Sequence, residues 1–255
     1  MSSGLVAKLR GPLLQRADFS EVLAEPWTTL TASEMAQRPV YLERDGRAPL
    51  GDLFEVRGEP RGQVRFVGDL ERADRLGAGL SEGEVAVDGT VGNEAGVAMA
   101  GGTLDIGGNA GARTGAAPLG FKRGMTGGEL IVRGSAGPEA GVTMRRGVLV
   151  IVGAADARTG LGMIAGTVVV FGTAGPDTGL WSKRGSVVAL GGITVPQTYV
   201  YACTYQPPFL RLLLTRLHGR FGLPVRKKHL NGLYHRYSGD MAELGKGEIL
   251  AWTAE

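Results

Sequence analysis

Apolar residues in this chain recur as short pairs spaced two apart. Between Gly83 and Gly192 they stand at Val85/Val87, Leu104/Ile106, Leu130/Val132, Leu149/Ile151, Val168/Val170 and Val187/Ala189. Period-two spacing with β-branched side chains predicts a short strand with one buried face, six times over. Glycine punctuates the pattern. The units open at Gly83, Gly102, Gly128, Gly147, Gly166 and Gly185, giving steps of 19, 26, 19, 19 and 19 residues. The seventh position is glycine in every unit, from Gly89 to Gly191, and the fourteenth is glycine in the first five, from Gly96 to Gly179. The tenth is glycine in four units, with Asp156 in its place in another, so the unit reads GxVxVxGxxGxxxG.

A strand, a corner and a return path every 19 residues predict an all-β fold, a right-handed parallel β-helix with one coil per repeat. Glycine suits the corners, where φ is positive or where stacked backbones approach closely. A single coil buries too few side chains to offset the entropy of ordering it, so the stack is the folding unit. The twelfth position reads Glu94, Arg113, Glu139, Arg158, Asp177, alternating in sign. With layers about 4.8 Å apart, this column predicts a ladder of opposite charges that supports register more than stability.

The outward fourth position changes from Ala86 and Asp105 to Ile131, Val150, Val169 and Val188, and the sixth ends in Val152, Phe171 and Leu190. Such an apolar outer face must be covered by the chain itself or by a partner. Downstream, Leu210, Leu213, Leu214, Leu217 and Phe221 have helical spacing, with Pro207 and Pro208 before and Gly222 and Pro224 after. They predict a helix over 208–220 lying on that face, with Arg211, Arg216 and Arg220 turned away. Three segments follow: an N-terminal cap over 1–61 with a helix around Ser33–Arg38, the β-helix over 62–205 opening on an irregular coil, and a basic C-terminal helix and tail over 206–255.

Composition alters this picture little. Gly is 43 of 255 residues, yet 43% of the chain is hydrophobic, which is a folded composition. No apolar run approaches the ~20 residues of a membrane span, and the first residues lack a secretory core, so a soluble cytoplasmic protein is expected. The lone Cys203 excludes an internal disulfide and reads as a small packed residue.

Charge matters more. From Thr178 to Gly239 there is no Asp or Glu, but nine Lys or Arg and all three histidines. Within this stretch "VRKKHL" holds Arg226, Lys227 and Lys228, while Lys183 and Arg184 repeat the positions of Arg145 and Arg146 two coils earlier. The seven extra residues of the second coil make Pro118–Arg123 bulge outward, presenting Lys122 and Arg123. These seven cations are candidates for binding an anionic cofactor tail or an acidic protein face; an ordinary solvated surface is the alternative. Nucleic acid is not expected, because no aromatic platform or recognition fold accompanies the charge. His218, His229 and His235 are eleven and six apart, which is no ligand spacing, and no metal site is expected. Neither dinucleotide nor P-loop fingerprint occurs, and no catalytic constellation is visible.

The repeated GxxGxxxG at Gly89/Gly92/Gly96, Gly108/Gly111/Gly115, Gly134/Gly137/Gly141 and Gly172/Gly175/Gly179 resembles the C-terminal β-helix domain of glutamate synthase. It is still more similar to the C subunits of formylmethanofuran dehydrogenase and of its bacterial relative, the formyltransferase/hydrolase complex. Two further pieces carry that likeness: "LGDLFEVRG" at Leu50–Gly58 and "GAAPLGFKRGMTGG" at Gly115–Gly128. The likeness runs to about Gly192; Asp156, and Ser182 where other coils have Met99, Met144 and Met163, depart from the pattern.

The resemblance implies a non-catalytic β-helical subunit holding amidohydrolase-like, dehydrogenase-like and formyltransferase subunits together. It implies formyl groups passing from tetrahydromethanopterin through a methanofuran-type cofactor to formate, with metals on other subunits and no cofactor held by this chain alone. The preference for Arg over Lys inclines the reading to the bacterial complex. A tungsten or molybdenum formylmethanofuran dehydrogenase, a glutamate synthase-like accessory domain and an independent enzyme stay open.

Overall fold

The computed structural model describes residues 4–59 and 61–253. At the N-terminal end, β1 (Leu5–Leu9) lies between β5 (Phe54–Arg57), which is antiparallel to it, and β6 (Gln63–Val67), which is parallel. Between β1 and β5 run β2 (Ala17–Asp18), helix α1 (Ala32–Ala36), β3 (Pro39–Leu42), β4 (Gly46–Pro49) and a single turn, α2 (Leu50–Leu53). Helix α1 starts where its sequence directs: Thr31 Oγ1 accepts the Glu34 amide at 3.2 Å and Glu34 accepts the Thr31 amide in return at 2.8 Å. With β7 (Ala73–Asp74), strands β2–β4 form a small four-stranded sheet in the order β4-β3-β2-β7.

The repeats then add one strand each: β8 (Glu84–Val87), β9 (Thr103–Ile106), β10 (Glu129–Val132), β11 (Val148–Ile151), β12 (Thr167–Val170) and β13 (Arg184–Ala189). All are parallel, and each residue pairs with its counterpart in the next unit, as in Glu84↔Thr103↔Glu129↔Val148↔Thr167↔Ser186. A second parallel ladder links Leu70, Val91, Ala110, Ala136, Ala155, Ala174 and Ile193 in the same order. The insertion lengthens one step without breaking either ladder.

Third and fifth positions point inward and are buried in every unit, joined by a column of Met99, Met125, Met144 and Met163. The two glycine classes have different causes. At the fourteenth position Gly141 has φ +70, a left-handed corner. At the seventh, Gly134 has ordinary backbone, but a Cβ there would lie 2.7 Å from the Gly108 carbonyl group in the layer beneath. The charge column also takes left-handed backbone, φ 57–64 from Glu94 to Asp177. Arg113 bridges Glu94 at 3.3 Å and Glu139 at 3.1 Å, and Arg158 bridges Glu139 at 3.2 Å. Arg75 extends the ladder one layer further, with its Nε 2.9 Å from Glu94.

After the repeats come β14 (Val200–Tyr205), helices α3 (Pro208–Phe221) and α4 (Lys227–Asn231), β15 (Leu233–Gly239) and β16 (Lys246–Thr253). Strand β16 returns to pair in parallel with β13 (Val188↔Leu250), and β15 and β14 follow antiparallel. Among the described residues the large sheet therefore has twelve strands, ordered β14-β15-β16-β13-β12-β11-β10-β9-β8-β6-β1-β5.

Helix α3 covers the apolar outer face as expected. Leu210, Leu214 and Leu217 are buried against Ile131, Val150, Val169, Val188, Leu190 and Leu250. The expected outward course of its arginines holds for Arg211 but not for Arg216 and Arg220. Those two reach back to Glu129, a carboxylate only 9% exposed, at 2.6 and 2.5 Å, and Arg220 also reaches Glu84 at 3.2 Å. The cause lies at the second position of the repeat, where Glu84 and Glu129 put carboxylates at the margin of the covered face.

Candidate interaction surface

The seven cations singled out in the sequence fall into two groups. Lys122 and Arg123 sit on the inserted loop, exposed, with Phe121 and Leu119 beside them. That loop is anchored at its base: Arg113 Nη2 donates to the Ala117 carbonyl at 2.6 Å, and the Phe121 amide closes a turn on Pro118 at 3.0 Å. Two residues beyond Arg123, the Met125 carbonyl accepts the Arg145 amide at 2.8 Å, so the loop cations and Arg145/Arg146 share one corner of the stack. Lys183 and Arg184 lie on the same corner two layers on, and Arg184 pairs in register with Lys246. The result is a basic edge along the N-terminal ends of the strands.

Arg226, Lys227 and Lys228 are elsewhere, in and before α4, over the opposite strand ends about 20 Å away. Lys228 is occupied: its Nζ lies 4.0 Å above the Trp252 ring, and its carbonyl accepts the Trp252 indole N–H at 3.1 Å. Next to it His229 is buried edge-on to Phe171 (6.1 Å) and Trp252 (5.9 Å), its Nδ1 accepting the Arg226 amide at 3.3 Å. Burial first, then Lys228 and Arg226, hold this imidazole below its ordinary 6.5, so it is neutral at pH 7. None of the seven cations has a carboxylate within ion-pair distance among the described residues.

Sequence reasoning missed one cluster. Tyr201 packs edge-on to His235 and Tyr237, both at 5.9 Å, with its hydroxyl 2.9 Å from Thr204 Oγ1; that oxygen is in turn 2.7 Å from His235 Nδ1. Cys203 lies on the same strand and is exposed, not packed, because β14 is the last strand of the sheet among the described residues. The signal for this placement was absent, since the β14–β15 pairing joins residues some thirty apart with no repeat to announce it.

An open cleft of about 460 Å³ lies beside the end of α3, over the uncovered polar half of the large sheet. Its charges answer one another: Arg65 with Asp88 at 2.7 Å and Arg133 with Asp105 at 2.7 Å. Among the described residues no three His, Cys, Asp or Glu side chains gather to hold a metal ion, and no helix is long and apolar enough to cross a membrane.

No family model matches the chain. It is 35% identical over 85 residues to the Fhc C subunit of the formyltransferase/hydrolase complex of Methylorubrum extorquens, an alignment spanning 33% of this chain and 32% of that protein. The chain thus aligns with about a third of the curated relative's length. The structural likeness is longer. One component of the crystal structure of the formyltransferase/hydrolase complex from the same organism, in complex with methylofuran, superposes with a TM-score of 0.78 at 33% identity, covering 98% of this chain and all of that one. The chain belongs to the family of C subunits of formyltransferase/hydrolase complexes. Within this family's fold, the two pieces that carried the likeness have distinct places. Leu50–Gly58 forms α2 and β5 at one end of the large sheet, and Gly115–Gly128 is the inserted corner loop.

Proposed function

We propose that this chain is a non-catalytic structural subunit of a C1-transfer complex of the formyltransferase/hydrolase type. In this reading it is a right-handed parallel β-helix, with a cap segment over 1–61, the coils over 62–205, and a basic C-terminal helix and tail over 206–255. The observation that carries it is the match over 98% of the chain to a component of such a complex. Amidohydrolase-like, dehydrogenase-like and formyltransferase partners carry the chemistry, moving formyl groups from tetrahydromethanopterin through a methanofuran-type cofactor to formate. A rigid ladder-paired body with projecting loops suits a part that fixes distances between such partners. Tagged at its C-terminus and expressed with those subunits, the chain is expected to purify with them as one assembly of fixed stoichiometry. A chain eluting alone, as a stable monomer with no affinity for them, refutes the reading.

A second role is favoured by the unpaired cations. The basic edge formed by Lys122, Arg123, Lys183 and Arg184, or the group Arg226 and Lys227, attracts the anionic tail of the furan cofactor or an acidic partner face. Replacing Arg226 and Lys227, or Lys183 and Arg184, by Glu is expected to raise the apparent KM for the formylated cofactor about three- to tenfold, and added salt to reproduce that rise in the unaltered protein. Unchanged KM and salt response in both double variants would leave the cations as ordinary surface.

A further inference from the structure

We propose that the free edge of the large sheet, strand β14, is completed by a strand from a different protein chain, uncharged along its middle and acidic at both ends. The proposal rests on the reading of the chain as an assembly component and specifies one of its contacts.

Among the described residues strand β14 is paired on one side only, with β15. Its sequence, VYACTY, carries no charge, and both of its faces meet solvent: Val200 is 57% exposed, Tyr201 54%, and Ala202 and Cys203 are exposed between them. Proteins ordinarily protect such an edge with lysine, proline or short length, because its unpaired N–H and C=O groups accept any passing strand. Here one register irregularity, between Tyr201 and Cys203, is all that interrupts it. The opposite edge, β5, shows the usual protection in Glu55 and Arg57, which pair with each other. Tyr201 is also held in place by its contacts with His235, Tyr237 and Thr204, so the exposed ring is already ordered for a partner.

Charge identifies the occupant. At the start of β14 the Met241 amide donates to the Thr198 carbonyl at 3.0 Å and the Asp240 amide to the Ser182 carbonyl at 3.3 Å, which brings Lys183 to that end, with Lys246 two strands and Arg184 three strands away along the same margin of the sheet. At the other end Gln206 Nε2 donates to the Leu230 carbonyl at 3.2 Å, which brings α4 and with it Arg226 and Lys227. The nearby carboxylates are largely spent. Asp240 is buried and accepts the amides of Trp181 (2.7 Å) and Ala242 (2.8 Å), and Glu248 pairs with Arg236 at 2.9 Å. Among the described residues no carboxylate lies within ion-pair distance of Lys183, Arg184 and Lys246 or of Arg226 and Lys227.

A second copy of the chain is the wrong occupant. Antiparallel pairing of two β14 strands would set the start of one against the end of the other, and parallel pairing would set start against start. Each arrangement opposes cation to cation. A foreign strand with acidic flanks satisfies the backbone and the charges together, which is strand addition with electrostatic register.

Cys203, the single cysteine of the chain, stands in the middle of β14 and reports on this contact. Its reaction rate with a thiol reagent, and hydrogen exchange of the 200–205 amides, are measured in the full chain alone and in the assembly purified with its partner subunits. Assembly is expected to slow both at least about tenfold, and Arg184→Glu with Lys227→Glu to weaken partner binding about tenfold at low salt without changing the melting temperature of the free chain. An assembly that forms intact while Cys203 and these amides keep their free-chain rates overturns the proposal and leaves the scaffold reading standing. Protection that grows with the concentration of the free chain identifies a second copy and also overturns it. Absence of any assembly refutes the scaffold reading itself.

Discussion

Single positions in this molecule are governed by distance to the layer beneath. Gly134 and Gly219 illustrate the two extremes. A methyl group at Gly134 would meet the backbone of Gly108 at 2.7 Å, whereas one at Gly219, within α3, would meet nothing within 4 Å. Gly134→Ala is therefore expected to cost about 1–3 kcal/mol by overpacking, and Gly219→Ala to add up to about 1 kcal/mol through helix propensity. Denaturant titration should show shifts of opposite sign. The reason for each glycine was only half legible, since the repeat marks positions seven and fourteen alike and three dimensions separate contact from conformation. His229 supplies a pH dependence. Its imidazole is held below 6.5 in the fold and is free to rise to that value when unfolded, so the unfolded chain binds more protons as the solution acidifies. Its contribution to stability is present above about pH 6.5 and is lost as pH falls toward its folded value. Melting temperatures of the unaltered chain and of His229→Gln, measured from about pH 7.5 to about 5.0, should differ in slope below about pH 6.5; parallel curves would remove the effect.

Among the elements, α3 shows how far periodicity reaches. Its span and its buried face followed from leucine spacing and the flanking prolines and glycine, and the structure ends it at Phe221, one residue beyond the expected limit. The direction of Arg216 and Arg220 did not follow, because their partner Glu129 is far earlier in the chain and its side-chain exposure is a property of the packed helix. That carboxylate fastens the helix end to the sheet margin. Glu129→Gln keeps the shape but removes the charge, and is expected to cost about 1–3 kcal/mol, the two arginines being half-exposed and partly compensated by water. Pairing it with Arg220→Gln in a double-mutant cycle should give a coupling of opposite sign to the single losses; strict additivity would show that the contact contributes nothing. The charge ladder was legible from alternation alone, because its members are one layer apart wherever the repeat holds. It stops short of its last expected rung, with no ion pair between Arg158 and Asp177 among the described residues.

For the molecule as a whole, legibility follows contact range. From Gly83 to Gly192, where each layer repeats the one before, strand positions and inward faces could be read directly. Beyond the repeats, the return of β16 to β13 and the exposed position of β14 depend on pairings that no local pattern encodes. The candidate cations divided in the same way. Lys183 and Arg184 lie on one corner with Arg145 and Arg146 as spacing required, while Arg226 to Lys228 went to the opposite strand ends because a helix of fourteen residues intervenes. The longer step between β9 and β10 has a wider meaning. Thr103 and Glu129 pair in register although 26 residues separate them instead of 19, and the ladders continue undisturbed on both sides. Length at that corner is thus decoupled from the architecture, since closing a somewhat longer loop adds only a few tenths of a kcal/mol. The same site can be lengthened, shortened or exchanged for a foreign peptide while the neighbouring courses keep their alignment, a natural grafting point on an otherwise periodic wall.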